Sequence, residues 1–143
     1  ELYDEELNCE PYKKIGITEV AFGDLFLEDI RKFREVLLKK LGMTAVFPLW
    51  GMKSTELSQM FRDGNFRAII TSVMPDKLSH SFLGKELTIE LQSKLPEGVD
   101  MFGENGEFHT LVTFTPYFKL RLQTSISITK VEGPYEVCQI RCP

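Results

Sequence analysis

Cysteine and histidine are scarce: three cysteines (Cys9, Cys138, Cys142) and two histidines (His80, His109) in 143 residues. An odd cysteine count excludes a complete disulfide framework. Cys138 and Cys142 also lie too close on what reads as one strand to bridge each other, so the thiols read as reduced, small hydrophobes. Neither histidine has a second imidazole or a thiol near it in the sequence, so no zinc-ligand spacing exists and no metal is expected. Long apolar runs are missing too: none reaches the roughly 18 residues a membrane helix needs, and no signal-like segment opens the chain. Membrane and secretory readings therefore drop away, and a cytoplasmic location is expected. Basic patches are absent as well. The 17 Lys and Arg are scattered against 21 Asp and Glu for a net charge of −4, which removes nucleic acid from the expected partners. There is no G-x-x-x-x-G-K-[ST], no G-x-G-x-x-G and no H-E-x-x-H, so no stretch reads as a glycine-rich phosphate cradle or a zinc helix.

What is present is the composition of a folded domain: 43% hydrophobic and 27% charged residues, with eleven phenylalanines. The chain opens at Glu1 without an initiator methionine, and residues 1–14 read as the charged back half of a helix interrupted by Pro11. It looks like a piece of something longer. Residues 18–22 (T-E-V-A-F) read as a buried strand closed by Gly23-Asp24. From 27 to 41, Ile30, Phe33, Val36, Leu37 and Leu41 recur at helical spacing, with acids opening the segment, lysines closing it and Gly42 as its left-handed cap. Residues 43–47 predict a second strand stopped by Pro48. Ser54 is placed as the N-cap of a helix ending at Gly64, and 66–73 (F-R-A-I-I-T-S-V) predicts a third strand. Nearly continuous apolar strands alternating with amphipathic helices indicate an α/β fold: a parallel sheet with helices on both faces. Beyond Val73 the pattern changes to short helical stretches around Gly84, a P-E-G turn, and strands at 110–114, 118–122, 125–131 and 135–141. This is an α+β portion with antiparallel pairing. The expected division is 1–75 and 76–143.

The densest polar constellation is Gly103-Glu104-Asn105-Gly106-Glu107-Phe108-His109-Thr110. One reading is a hairpin, because Asn-Gly between apolar runs signals a type I′ turn. The other is a site in which Glu104, Glu107 and His109 hold an amine and move a proton. Spacing alone leaves both open. Gly23-Asp24 ends the first strand, where open α/β sheets bind ligands, although an aspartate there also suits helix capping. Trp50, the only tryptophan, follows the second strand as either a packing residue or a platform for a base or cation. Ser79-His80-Ser81 lacks a nucleophile elbow and reads as a surface helix start.

Taken together, V-A-F-G-D-L (20–25) with Arg31 and Glu35, P-L-W (48–50), F-R-A-I-I (66–70), F-L-G-K-E-L (82–87) and G-E-N-G-E-F-H-T (103–110) with Pro116 and Phe118 resemble the diphthine-ammonia ligase family. These are the N-type ATP pyrophosphatases of the PP-loop superfamily, and the similarity spans residues 15–120. The resemblance implies that the first portion is part of a Rossmann-type nucleotide-binding domain and that the second binds substrate. It implies an ATP-dependent amide ligase, with magnesium accompanying the ATP. The carboxylate of diphthine on an elongation factor, or of a related small acid, is adenylated with release of pyrophosphate, and ammonia displaces AMP. Gly23 and Asp24 would lie on the nucleotide side. Glu104, Glu107 and His109 would act in catalysis, with Gly103, Asn105, Gly106, Thr110 and Trp50 at the substrate. The family's S-G-G-x-D-S-like phosphate loop is missing from these residues, so the chain alone is expected to bind ATP poorly and turn over nothing. The competing expectations are a non-catalytic binding module that keeps only the substrate pocket and a metal-assisted hydrolase. An exposed strand edge in the tail would let two copies pair as a homodimer.

Overall fold

The computed structural model describes residues 5–141. These divide into two compact units, one ending at Met52 and one beginning at Lys53. The change of character read near residue 75 therefore falls inside the second unit.

The first unit contains α1 (Glu5–Lys14), β1 (Glu19–Ala21), α2 (Glu28–Leu41) and β2 (Thr44–Val46), with β1 and β2 paired in parallel. Contrary to the expected interruption, α1 runs through Pro11, losing the one backbone donor that proline lacks. Helix α2 forms as its periodicity requires, and Gly42 closes it at φ 69°, donating its N–H to the carbonyls of Leu38 and Lys39. Leu38, Leu41 and Met43 make the core of this unit, backed by Val20, Phe22 and Ala45.

The second unit contains α3 (Ser54–Asp63), β3 (Arg67–Val73), a 3-10 turn (His80–Phe82), α4 (Ile89–Gln92), β4 (Phe108–Phe114), β5 (Ser125–Glu132) and β6 (Tyr135–Arg141). Its sheet has the order β4-β3-β6-β5, and each of these pairings is antiparallel. The chain is thus α/β with a small parallel sheet and a larger antiparallel one. The expectation that 66–73 is a third parallel strand is corrected here. Its apolar continuity reflects a central position, because β3 lies between β4 and β6 and the 84–87 segment bonds its remaining edge at Ala68 and Ile70. A strand buried on both faces reads as continuous apolar sequence whichever way its neighbours run. Ala68, Ile70 and Val73 join Leu78, Leu87 and Phe108 in the core, with Phe61, Phe82, Leu91, Leu95 and Phe102 packed around them.

Two local expectations also change. The N-cap of α3 is Lys53, not Ser54, whereas Gly64 ends the helix as expected, followed by Asn65 in left-handed backbone (φ 54°). Residues 118–122 form no strand. Phe118, Leu120 and Leu122 stay exposed, and the backbone bonds there are isolated, Phe118 N–H to the Thr115 carbonyl and Leu122 N–H to the Thr113 carbonyl. Cys142, weighed above against Cys138, lies outside the described residues. Among those residues, no helix is long and apolar enough to cross a membrane.

Candidate functional site: a wired acidic turn

Glu107 immediately precedes β4, and its side chain is 1% exposed. A carboxylate in that setting needs donors, and the loop before it supplies three. The backbone N–H of Asp100 donates to Oε1 at 3.0 Å, the backbone N–H of Asn105 to Oε2 at 3.0 Å, and the Asn105 side-chain amide to Oε1 at 3.1 Å. Asp100 works from the other end of the loop. Its Oδ1 accepts the N–H groups of Phe102 at 2.8 Å and Glu104 at 3.3 Å, and its Oδ2 accepts the hydroxyl of Ser54 at 2.6 Å. Two carboxylates thus accept four backbone amides of the 100–107 loop, those of Asp100, Phe102, Glu104 and Asn105.

The Asn-Gly pair does not form the two-residue hairpin turn that its spacing allowed. The turn runs from Gly103 to Gly106, closed by the Gly106 N–H on the Gly103 carbonyl at 2.9 Å. Gly103 and Gly106 take positive φ (73° and 75°), whereas Glu104 and Asn105 do not, which excludes type I′. At Gly103 a side chain would also strike the Phe108 carbonyl oxygen, 2.5 Å from an ideal Cβ. Outside contacts fix the turn further. Lys77 Nζ donates to the Asn105 carbonyl at 3.3 Å, and the Tyr135 hydroxyl donates to the Gly106 carbonyl at 3.1 Å. His109 is exposed on β4 opposite Ser72, its ring 5.1 Å from that of Tyr135. Thr110 is exposed opposite Ile70.

An open depression of about 520 Å³ adjoins this turn, lined by Asp76, Lys77, Glu97, Val99, Asn105 and Glu107 among others. Three carboxylates against one ammonium give it negative character, suited to a small cation. Glu104, Asn105, Glu107 and their glycines are therefore brought together on one loop, with His109 following on β4.

The other expected site residues belong to the first unit. Gly23 and Asp24 follow β1. Asp24 caps no helix, because α2 begins after Leu27, and its Oδ2 instead lies 3.1 Å from Arg34 Nε, with the guanidinium 4.2 Å from the Phe22 ring centroid. Trp50 packs edge-on against Phe47, and Arg31 sits 4.6 Å over the Trp50 ring and 5.0 Å over Phe47 while pairing with Glu35 at 2.9 Å. The aromatic face expected to receive a substrate cation thus already carries one of the protein's own. At Ser79-His80-Ser81 the Ser79 hydroxyl accepts the Ser81 N–H at the start of the 3-10 turn, the helix-start reading of that motif.

Asp100, Lys77 and Tyr135 escaped the sequence reading, and Ser54 figured in it only as a helix cap. Asp100 carried a signal, since an aspartate whose carboxylate can reach the N–H two residues on favours a turn. Lys77 and Tyr135 carried none, because each reaches the loop from a distant part of the chain.

A comparison with curated proteins returns no match. A family model, the diphthamide synthase C-terminal domain, matches residues 53–141, from the start of the second unit to the end of β6. That span includes the wired turn and the depression and ties the chain to diphthamide biosynthesis. The chain belongs to the diphthamide synthase C-terminal domain family.

Proposed function

We propose that this chain serves the acceptor and ammonia side of an ATP-dependent amide ligation. In this reaction a carboxylate, that of diphthine on an elongation factor or a related acid, is adenylated with loss of pyrophosphate, and ammonia then displaces AMP. The observation that carries the reading is the family match over residues 53–141, which covers the turn and its depression. Amide formation requires neutral ammonia, so a site must capture the ammonium ion and take a proton from it. The carboxylates along the depression suit the capture. Glu104 and His109, at the turn and on the following strand, are the groups in this reading that take the proton, while Glu107, with both oxygens already accepting N–H bonds, holds the turn in shape.

ATP with magnesium supplies the activation of the carboxylate when bound. The residues described here do not fit its triphosphate: no phosphate loop is present in the sequence, and the Asp24 carboxylate faces Arg34. A Rossmann-type domain completing the nucleotide side belongs to the same proposal, as does the cytoplasm as the place of action.

The test is an incubation of the purified chain with ATP, magnesium, ammonium and a diphthine-bearing elongation factor, paired with a binding titration of ammonium alone. The expected result is no release of AMP or pyrophosphate, together with saturable ammonium binding that Glu97→Gln, at the wall of the depression, weakens. Release of AMP and pyrophosphate by this chain alone would overturn the division of labour. Absence of any saturable ammonium binding would overturn the acceptor-side assignment.

A further inference from the structure

Asp100 lies outside the G-E-N-G-E-F-H-T segment, yet five of the turn's bonds pass through it. Its carboxylate accepts from Phe102 N–H, Glu104 N–H and the Ser54 hydroxyl, its own N–H donates to Glu107, and its carbonyl accepts the Gly103 N–H at 3.1 Å. The Ser54 bond comes from the first residue of α3, so the plane of the Asp100 carboxylate is set from a helix and not from the loop itself. Bonds from neutral donors to an ionised acceptor are stronger than neutral pairs. Their loss would leave the Phe102 and Glu104 amides, in partly buried surroundings, without acceptors.

We infer that Asp100 is the positioning residue of the acidic turn. Oriented by Ser54, it fixes residues 102–104, and through them the wall of the depression formed by Asn105 and Glu107. The inference rests on the acceptor-side reading of that depression and assigns to Asp100 no contact with the bound cation.

The experiment titrates methylammonium chloride into the full chain, followed by the amide resonances of Glu104 and Asn105, with amide hydrogen exchange recorded in parallel. Wild type is expected to show a saturable shift. In Asp100→Ala, affinity falls by about tenfold or more and exchange at Phe102 and Glu104 rises by about tenfold, with exchange at Ile70 and Val73 unchanged. Asp100→Asn keeps an oxygen acceptor for those amides and is expected to restore affinity to within about threefold of wild type. A loss of stability alone would not move the affinity of the folded protein. Folded Asp100→Ala that binds methylammonium like wild type, or Asp100→Asn as weak as Asp100→Ala, overturns the inference. Should Asp100→Ala not fold, Ser54→Ala carries the test: affinity lowered by about threefold supports the inference, and affinity unchanged overturns it. A wild-type chain with no saturable shift sinks the acceptor-side reading instead. In that event, unchanged exchange at Phe102 and Glu104 in Asp100→Ala separately overturns the role of Asp100.

Discussion

The two units solve the burial of polar groups in opposite ways. The first pairs the half-buried Asp24 with Arg34 side chain to side chain and lays guanidinium groups on aromatic rings, Arg34 on Phe22 and Arg31 on Phe47 and Trp50, around a core centred on Leu38, Leu41 and Met43. The second has a larger core around Ile70, Val73, Leu87 and Phe108 and takes the Glu107 carboxylate inside, surrounded by backbone donors. A cation stacked on a half-buried ring of this kind is worth about 0.5–2 kcal/mol. A buried carboxylate with three N–H partners is expensive to disturb, because removing it strands every donor at once. The difference teaches where rigidity has been invested: in the turn that the family match covers.

That contrast can be broken from either side. Phe108→Ala, at the heart of the second unit and 1% exposed, is expected to cost about 3–5 kcal/mol, read by denaturant titration and by lost exchange protection in β3 and β4. Leu38→Ala, equally buried in the first unit, should cost about 2–5 kcal/mol with the lost protection confined to α2 and β2. Loss spread across both strands sets would contradict two separate cores. Gly103→Ala forces a side chain into left-handed backbone and against the Phe108 carbonyl, and at least about 2 kcal/mol is expected. No measurable loss would mean that the turn is looser than its bonding implies. Arg31→Ala sits at the far end of the scale: about 0.5–1 kcal/mol, from the stacking on Trp50, detectable as a modest drop in melting temperature and a change in tryptophan fluorescence. Cys138 tests burial without any change in sequence. Its Sγ lies 3.7 Å from the Ile70 carbonyl and burial pushes its thiol pKa up, so at neutral pH it stays protonated. A thiol reagent should label it more slowly in the folded chain than in the unfolded chain, and equal rates would contradict a closed core there.

The elements with strong local signals were legible in the sequence. Helix α2, its Gly42 cap and the β5 and β6 strands follow from periodicity and turn chemistry that act over a few residues. The direction of β3 was not legible, because a strand buried on both faces has the same apolar run in either kind of sheet and only its distant partners decide. Residues 118–122 carry the alternation of a strand without a ladder to join. The acidic turn was found as a composition and then as a family motif, but its wiring was hidden, since Asp100, Ser54, Lys77 and Tyr135 converge on it only after folding. The same fact changes how Glu107 is best probed. Glu107→Ala would remove the acceptor of three donors, so loss of activity and loss of structure would arrive together. Glu104, whose own N–H is held by Asp100, is the cleaner handle on chemistry.

The most direct measurement is mass spectrometry of the diphthine-bearing peptide of the elongation factor. It would be taken after incubation with ATP, ammonium and the ligase proposed to carry these residues. The account predicts that the carboxylate is converted to the amide by the unchanged sequence. With Glu104→Ala the conversion should fall by at least about tenfold, in a protein whose β3 and β4 amides remain protected. Undiminished amide formation by the Glu104→Ala ligase would contradict the placement of the ammonia chemistry at this turn.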